Sequence, residues 1–542
     1  MRGMREGGVD QTALLGDDAP AARGCDPIHF DTARNGAAER PTPQTPADPN
    51  LESPRRRVRL AGLLAMGFFW VSGGIFGNEA LVQAAPPAYV FGCLVGAPVL
   101  YGLPVALITG ELASALPYDG GLVAWVREAC GRSVGAQNLW WLWVSTVLDS
   151  AVYPLLAAEY LSRRAALGRV GGRHGVALGL ICTVTLIKLV GIDCMMRTTE
   201  AMVVVSTLPV VVFVAVGVPK LDGAALTSSD RDGDDDDDLA MLTSWVLWLY
   251  AGFFSLGSLA GEVDNPQRVY PIVALTLVPA VAMLCIAPIA VAFSVDGNRS
   301  HYEAGHFDTV ATDLVGDWLG VSFVVAACVS QVGLFNGDMV VAERSLASFF
   351  DPQLAALGRG HTWAITRYLL VENGTGIAPV YIILNATVAA ALTWLPYKEL
   401  VKFQMMQYGL CSLLFLFAFG WYKWQMPHLP RPFAIPGGLS GAIALGVPVA
   451  AVTLANMWLC AADPQPVLGV RYAKLAAFAV LTGFGFFVHA ALWCYDKCCR
   501  PGGSFRGVTG GHNARYTLVS TPATCLDNSV LFEPAGNGRD LT

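Results

Sequence analysis

The sequence predicts an all-α integral membrane protein of about twelve transmembrane helices, arranged as a 5+5 inverted repeat in which helices 1 and 6 are broken. Three observations carry this expectation. Of the 542 residues, 54% are hydrophobic and 14% charged, and the apolar residues fall in long runs rather than amphipathic stripes. Glycine-rich interruptions sit inside two of those runs, five spans apart. Basic residues gather in the loops that a cytoplasmic N-terminus would place inside. A soluble helical protein is excluded, because no soluble fold buries about a dozen segments that each lack a polar face.

Residues 1–57, rich in Pro, Arg, Asp and Ala, are expected to be a disordered cytoplasmic tail, and the Gly-rich residues 496–542 a second one. The spanning domain is then 58–495. Windows of about 20 residues place its spans near 58–84, 88–115, 135–162, 174–191, 199–219, 239–260, 271–295, 316–346, 376–395, 400–423, 438–461 and 472–495. No apolar core precedes a small-residue cleavage site, so the first span is expected to act as the insertion signal. The thirteen cysteines are scattered and show neither disulfide nor metal spacing. Cys498 and Cys499, beside Lys497 and Arg500, are either a palmitoylation site or an unmodified pair.

Arg55, Arg56, Arg57 and Arg59 stand directly before the first span and place the N-terminus in the cytoplasm; an even number of spans returns the C-terminus there. One loop opposes this orientation. Arg163, Arg164, Arg169 and Arg173, between spans three and four, would face outside, so either the span count errs there or the loop has a local reason. The sequon at Asn298 falls outside and the one at Asn373 inside. The run Asp234 to Asp238, in the outer loop before span six, reads as a solvated loop, or as a charge that concentrates cations at the mouth. Asp10-Gln11-Thr12-Ala13-Leu14-Leu15 has the form of an acidic dileucine sorting signal.

The first break is Val71-Ser72-Gly73-Gly74-Ile75-Phe76-Gly77, followed by Asn78 and Glu79; the second is Leu249-Tyr250-Ala251-Gly252-Phe253-Phe254-Ser255-Leu256-Gly257. Backbone groups freed in hydrocarbon cost several kcal/mol each unless they find partners or line a cavity. Paired breaks with polar neighbours therefore point to a solute site at the bilayer midplane between half-helices, in preference to close helix packing alone.

The first break with Asn78 and Glu79, together with Ala106-Leu107-Ile108-Thr109-Gly110-Glu111-Leu112, Leu116-Pro117-Tyr118-Asp119-Gly120-Gly121 with Trp125-Val126, Leu148-Asp149-Ser150-Ala151-Val152-Tyr153-Pro154, Leu259-Ala260-Gly261-Glu262-Val263-Asp264-Asn265-Pro266 and Arg431-Pro432-Phe433-Ala434-Ile435-Pro436, resembles the amino acid/polyamine/organocation permeases. The closest branch is similar to the eukaryotic polyamine and amino-acid permeases of plants and trypanosomatids. The resemblance covers about residues 58–495 and implies a twelve-span LeuT-like fold, alternating access and proton-coupled uptake across the plasma membrane. It also implies that polyamine carriers often have acidic residues where this chain has Phe254 and Val105, which weakens a polyamine assignment. Ser330 to Met339 resembles a family segment of span eight, with Asp338 in an acidic position.

Candidate site residues follow. Ser72, Gly73 and Gly74 would offer freed N–H groups to a substrate carboxylate, and carbonyls freed around Ala251 and Gly252 would receive an ammonium. Glu79 either meets a substrate amine or is an interfacial carboxylate. Asp149 lies mid-span, with Ser145 and Tyr153 on the same helical face, and is read as a substrate or proton site in preference to a structural hydrogen bond. Tyr153 can instead simply pack. Phe253 and Phe254 either close over substrate or pack in the ordinary way. Gln407 and Tyr408 in span ten, with Gln404, add polar groups at helical spacing, and Tyr408 matches a family tyrosine near the substrate path. Glu111, Asp149 and Asp338 are the proton-coupling candidates, and a structural bond to backbone is equally open for Glu111. Glu262 reads as part of an inner gate.

The predicted function is secondary-active transport of a small amine-bearing nutrient, an amino acid or a polyamine, with no cofactor beyond the proton gradient. A nutrient sensor on the same fold is the alternative. An enzyme is disfavoured, since no His-rich metal cluster, phosphate loop or nucleophile elbow is apparent, and no basic patch supports a nucleic-acid partner.

Overall fold

The computed structural model describes residues 58–118, 120–165, 171–189, 194–228, 237–357, 379–463 and 468–499. Residues 1–57 and 500–542, the dileucine pattern, the Asn373 sequon, Arg169, most of the aspartate run and the side chains of Cys498 and Cys499 lie outside the described residues, while 496–499, expected in the C-terminal tail, continue the last helix. Among the described residues the secondary structure is helical, save one isolated bridge pairing Val58 with Val263.

Helix α1, Leu60–Val71, is apolar throughout and stops where the N–H groups of Ser72 and Gly73 both turn back to the Phe68 carbonyl, at 3.0 and 2.7 Å. Gly73 has φ +60°, and a Cβ there would overlap the side chain of Leu334. The chain resumes in a 3-10 turn, Asn78–Ala80, and a short helix, Leu81–Ala84. Unwinding at this depth is tolerable only if the freed groups are satisfied. Ser330 donates to the Gly73 carbonyl, Ser72 Oγ to that of Gly74 at 3.1 Å, and Gln331 Nε2 to that of Phe76 at 3.3 Å.

Span two runs Pro87–Ala115 (α2), with a π-turn at Pro98–Gly102, and is followed by a short helix, Leu122–Cys130 (α3). Next come α4 (Arg132–Ala165), α5 (Gly171–Leu189), α6 (Cys194–Gly217) and α7 (Leu239–Trp248). The second break follows α7, and the helix resumes at Phe253–Leu256. Gly252 has φ +85°, and any Cβ would collide with the Trp70 carbonyl, so the two breaks are pressed against each other. The remaining helices are α8 (Pro266–Val295), α9 (His306–Val315), α10 (Asp317–Leu357), α11 (Pro379–Leu392), α12 (Tyr397–Gln425), α13 (Gly438–Ala462) and α14 (Leu468–Cys499). Helix α4 is the central post, packed along α10 and α12.

Nine helices among the described residues are long and apolar enough to cross a membrane, and three shorter apolar helices, Leu60–Val71, Pro379–Leu392 and Ala473–Val488, fall where spans one, nine and twelve are predicted. The opposing arginines have a local reason. Arg163 pairs with Glu303 at 2.8 Å, Arg164 with Asp308 at 3.1 Å and also with Asp317, and Arg173 with Glu159. Carboxylates of α4, α9, α10 and the loop before α9 thus stand beside Arg163, Arg164 and Arg173, which weakens the signal of these three for a cytoplasmic face. Burial holds the Asp308 carboxyl above its ordinary range even with Arg164 beside it.

Candidate functional site

Where the two breaks meet α4, α10 and α12, they line a cavity of about 40 Å³, room for a few water molecules at most. The backbone places two helix ends on it. The C-terminus of α1 contributes Val71 and Ser72, and the C-terminus of α7 contributes Trp248 and Leu249. Unpaired carbonyls carry the negative end of a helix dipole, so both ends favour a cation.

Two acidic side chains face the same space, Asp149 from the middle of α4 and Asp338 from α10. Their carboxyl groups lie within hydrogen-bonding reach of each other. A bond between two carboxyls requires a proton on one of them, because adjacent buried like charges cannot both stand ionised at low cost. Trp248 Nε1 donates to Asp149 Oδ1 at 2.8 Å and fixes that carboxyl, and the Tyr153 ring stacks on Trp248 with centroids 6.0 Å apart. Asp338 Oδ2 and Gln404 Oε1 are buried and meet no donor among the described residues. Neither aspartate has a cationic partner among the described residues. Trp70 Nε1, on the same lining, is a buried donor that meets no acceptor among the described residues, and aromatic faces stand next to the carboxyl pair; the two acidic groups without a cation suit a ligand that brings N–H donors and positive charge.

The predicted site residues divide by place. Ser72, Asp149, Tyr153, Ala251, Gly252, Tyr408 and Asp338 line the cavity. Gly73 and Gly74 do not: the first packs against Leu334 and the second lies near Ser330. The N–H groups of Ser72 and Gly73 return to Phe68, so neither of these two donors remains for a carboxylate. At the second break the Gly252 N–H donates to Tyr408 Oη at 2.5 Å, and the Gly252 carbonyl accepts from Ser255 N at 2.9 Å. Phe253 and Phe254 lie behind the wall, with Phe254 stacked on the Tyr408 ring at 4.4 Å. Gln407 points away and donates to Thr482 Oγ1 at 3.0 Å.

Glu79 and Glu111 belong to separate clusters. Glu79 is fully buried; it accepts from Tyr160 Oη at 2.5 Å, from Gly77 N at 2.9 Å, and from Gly305 N in the loop before α9. Glu111, at the other end of α2, forms ion pairs with Lys423 at 2.7 Å and Arg431 at 2.9 Å and accepts from Ile435 N at 2.7 Å. Glu262 lies near Arg344, at 3.9 Å, and its carbonyl receives Val58 N.

Trp248, Tyr160 and Lys423 were not singled out from the sequence. The signal for Tyr160 is present in principle, since Asp149, Tyr153 and Tyr160 follow one face of α4 at helical spacing. Trp248 precedes the second break but reads as one more apolar residue in a run.

The family model described as Amino acid permease matches residues 61–484. A probable polyamine transporter of Arabidopsis thaliana is 30% identical over 82% of this chain and 85% of its own. The polyamine transporter PUT1 of Oryza sativa subsp. japonica is 32% identical over 77% and 76%. A cadaverine/lysine antiporter of Escherichia coli is 23% identical over 48% and 61%.

Proposed function

The chain belongs to the amino acid permease family, and on that premise we propose that it takes up a diamine or polyamine across the plasma membrane by alternating access, coupled to protons, with both termini in the cytoplasm. The observation that supports the reading is the Asp149 and Asp338 pair, two carboxyls on one cavity with no cation beside them among the described residues. A zwitterionic amino acid would need donors for its carboxylate; the Ser72 and Gly73 N–H groups are already bonded and Gly74 does not line the cavity, which leaves the unpartnered Trp70 indole N–H there. The names of the plant relatives agree with a polyamine. Acidic residues at positions 105 and 254 are not required on this reading, since Asp338 supplies a second carboxyl from α10.

Two carboxyls allow two jobs. Asp149, held by Trp248, receives the ammonium, while Asp338, whose Oδ2 is unpartnered, carries the proton. An ammonium on Asp149 and a proton on Asp338 together neutralise the two carboxyls, while the further ammonium groups of a diamine or polyamine must be met beyond this pair; moving substrate and proton together corresponds to symport. Glu79 and Glu111 are gates in this scheme: the bonds of Glu79 to Tyr160 and Gly305 close the outer side, and the ion pairs of Glu111 close the inner side.

The test is uptake of labelled putrescine, spermidine, arginine and a neutral amino acid into transport-deficient cells expressing the chain, with and without a protonophore. Protonophore-sensitive polyamine uptake supports the proposal. Neutral amino-acid uptake alone contradicts it, and binding without accumulation at confirmed surface expression favours a sensor.

A further inference from the structure

The outer loop that reaches Glu79 carries a second cluster, which no spacing rule in the sequence picks out. Asp296 directly follows α8, His301 ends the 3-10 turn Arg299–His301, and His306 opens α9. Asp296 Oδ2 lies 2.8 Å from His301 Nδ1 and 3.0 Å from His306 Nε2. One ligand atom from each of the three residues lies within 4.8 Å of the others.

The groups are braced from behind. Asn298 N donates to Asp296 Oδ1 at 3.1 Å, Asn298 Nδ2 meets His301 Nε2 at 3.1 Å, and the Tyr302 ring stands edge-on to His306 at 4.8 Å. Tyr302 Oη donates to the Asp296 carbonyl at 2.8 Å. His301 is about half exposed, with 53% of its side chain accessible, so the cluster is reached from water, whereas His306 is buried at 8%.

We propose that Asp296, His301 and His306 form a binding site for a zinc-class divalent cation, open to the outer solution. Two imidazole nitrogens and one carboxylate oxygen are the donor set that zinc takes in sites that keep a water in the fourth position. Bond lengths of about 2.0–2.2 Å around a tetrahedral ion require donor atoms about 3.3–3.6 Å apart, so each imidazole nitrogen must move a few tenths of an ångström away from Asp296 Oδ2, and the two nitrogens, which lie within 4.8 Å of each other, must settle at the same spacing. Binding frees both nitrogens that face Asp296: the His301 proton moves from Nδ1 to Nε2 and the His306 proton from Nε2 to Nδ1, or either passes to solvent, and the Asn298 carboxamide oxygen or a water then accepts the hydrogen bond of the new His301 Nε2–H. Calcium and magnesium fit poorly, because they require several more oxygen ligands than the single carboxylate here supplies.

The ion would staple the end of α8 to the start of α9. Gly305, one residue before His306, donates to Glu79, and Glu303 pairs with Arg163. A bound metal therefore holds the loop against the outer gate, and external zinc slows uptake by lowering the maximal rate rather than by competing with substrate. This consequence rests on the transport proposal; the binding site does not.

The purified full-length chain, titrated with Zn²⁺ alone, is expected to bind one ion more tightly than His301→Ala and Asp296→Asn do, by at least about tenfold, the lower end of what disturbing a zinc site costs. Equal binding by wild type and both variants, or no saturable binding by the wild type, overturns the site. In cells, uptake with and without Zn²⁺ is compared within each variant. Inhibition of the wild type that His301→Ala relieves supports the staple. Inhibition that persists in His301→Ala removes the staple, and stoichiometric binding without any measurable uptake leaves the metal site standing while the transport reading falls.

Discussion

Glu111 and the Asp149 and Asp338 pair are all carboxyls buried within the helical bundle, yet the protein treats them in opposite ways. Glu111 is matched by Lys423, Arg431 and a backbone N–H. The midplane pair is given one indole, hydrogen-bonding reach to Tyr153, and no cation among the described residues. A buried charge without a partner is costly, so a fold keeps such a group where something else completes it. The comparison separates a lock that is complete in itself from a site that waits for a positively charged visitor. Glu79 stands between them: its partners are a hydroxyl and backbone N–H groups, which can be released at lower cost than two cations.

The largest effect that would break this comparison is loss of the ammonium contact. Asp149→Asn should lower polyamine uptake by on the order of a hundredfold, as for a charge-assisted hydrogen bond worth up to about 3 kcal/mol, while surface expression is kept. Undiminished uptake would remove Asp149 from the mechanism. The same variant should not lower the melting temperature, because it removes an uncompensated charge.

Glu111→Gln should do the reverse for stability. It leaves Lys423 and Arg431 facing a neutral group, and breaking a buried pair costs about 3–5 kcal/mol. A melting temperature well below that of Asp149→Asn is expected, together with greater accessibility of the inner side to thiol reagents. If the two variants melt alike, the distinction between lock and site fails.

Asp338→Asn sharpens the comparison within the pair. Uptake should persist at a reduced rate but lose its sensitivity to external pH and to protonophore, since the ammonium partner remains and the proton partner is gone. Uptake that stays protonophore-sensitive would move the proton to another group. The smallest effect is expected from Tyr160→Phe, which removes one donor from Glu79 at a cost of about 1.5–3 kcal/mol. It should loosen the outer gate without touching the cavity, shifting apparent substrate affinity by more than maximal rate; unchanged kinetics would mean that Tyr160 does not hold the gate.

Much of the architecture was legible because membrane helices announce themselves. Span limits follow from apolar length, and both breaks follow from glycines inside apolar runs. Asp149 and Asp338 were visible one at a time, since an acidic residue in hydrocarbon stands out. Their pairing was not, because it joins residues 189 positions apart through the packing of α4 on α10. Glu79 read from the sequence either as a substrate contact, by its distance from the first break, or as an interfacial carboxylate. Tyr160 and Gly305 claim it instead, and they arrive from α4 and the outer loop at separations that periodicity does not encode. Of the three N–H groups expected to be free at Ser72, Gly73 and Gly74, the first two turn back to one carbonyl, a choice made by φ and ψ at the helix end rather than by residue type.

The most direct test of the unmatched pair is equilibrium binding of labelled spermidine to the purified full-length chain, competed with unlabelled putrescine and with a neutral amino acid, for wild type and Asp149→Asn. The account predicts displacement by putrescine and not by the amino acid, with binding lost in the variant. Displacement by the neutral amino acid, or spermidine binding that survives Asp149→Asn, would contradict it.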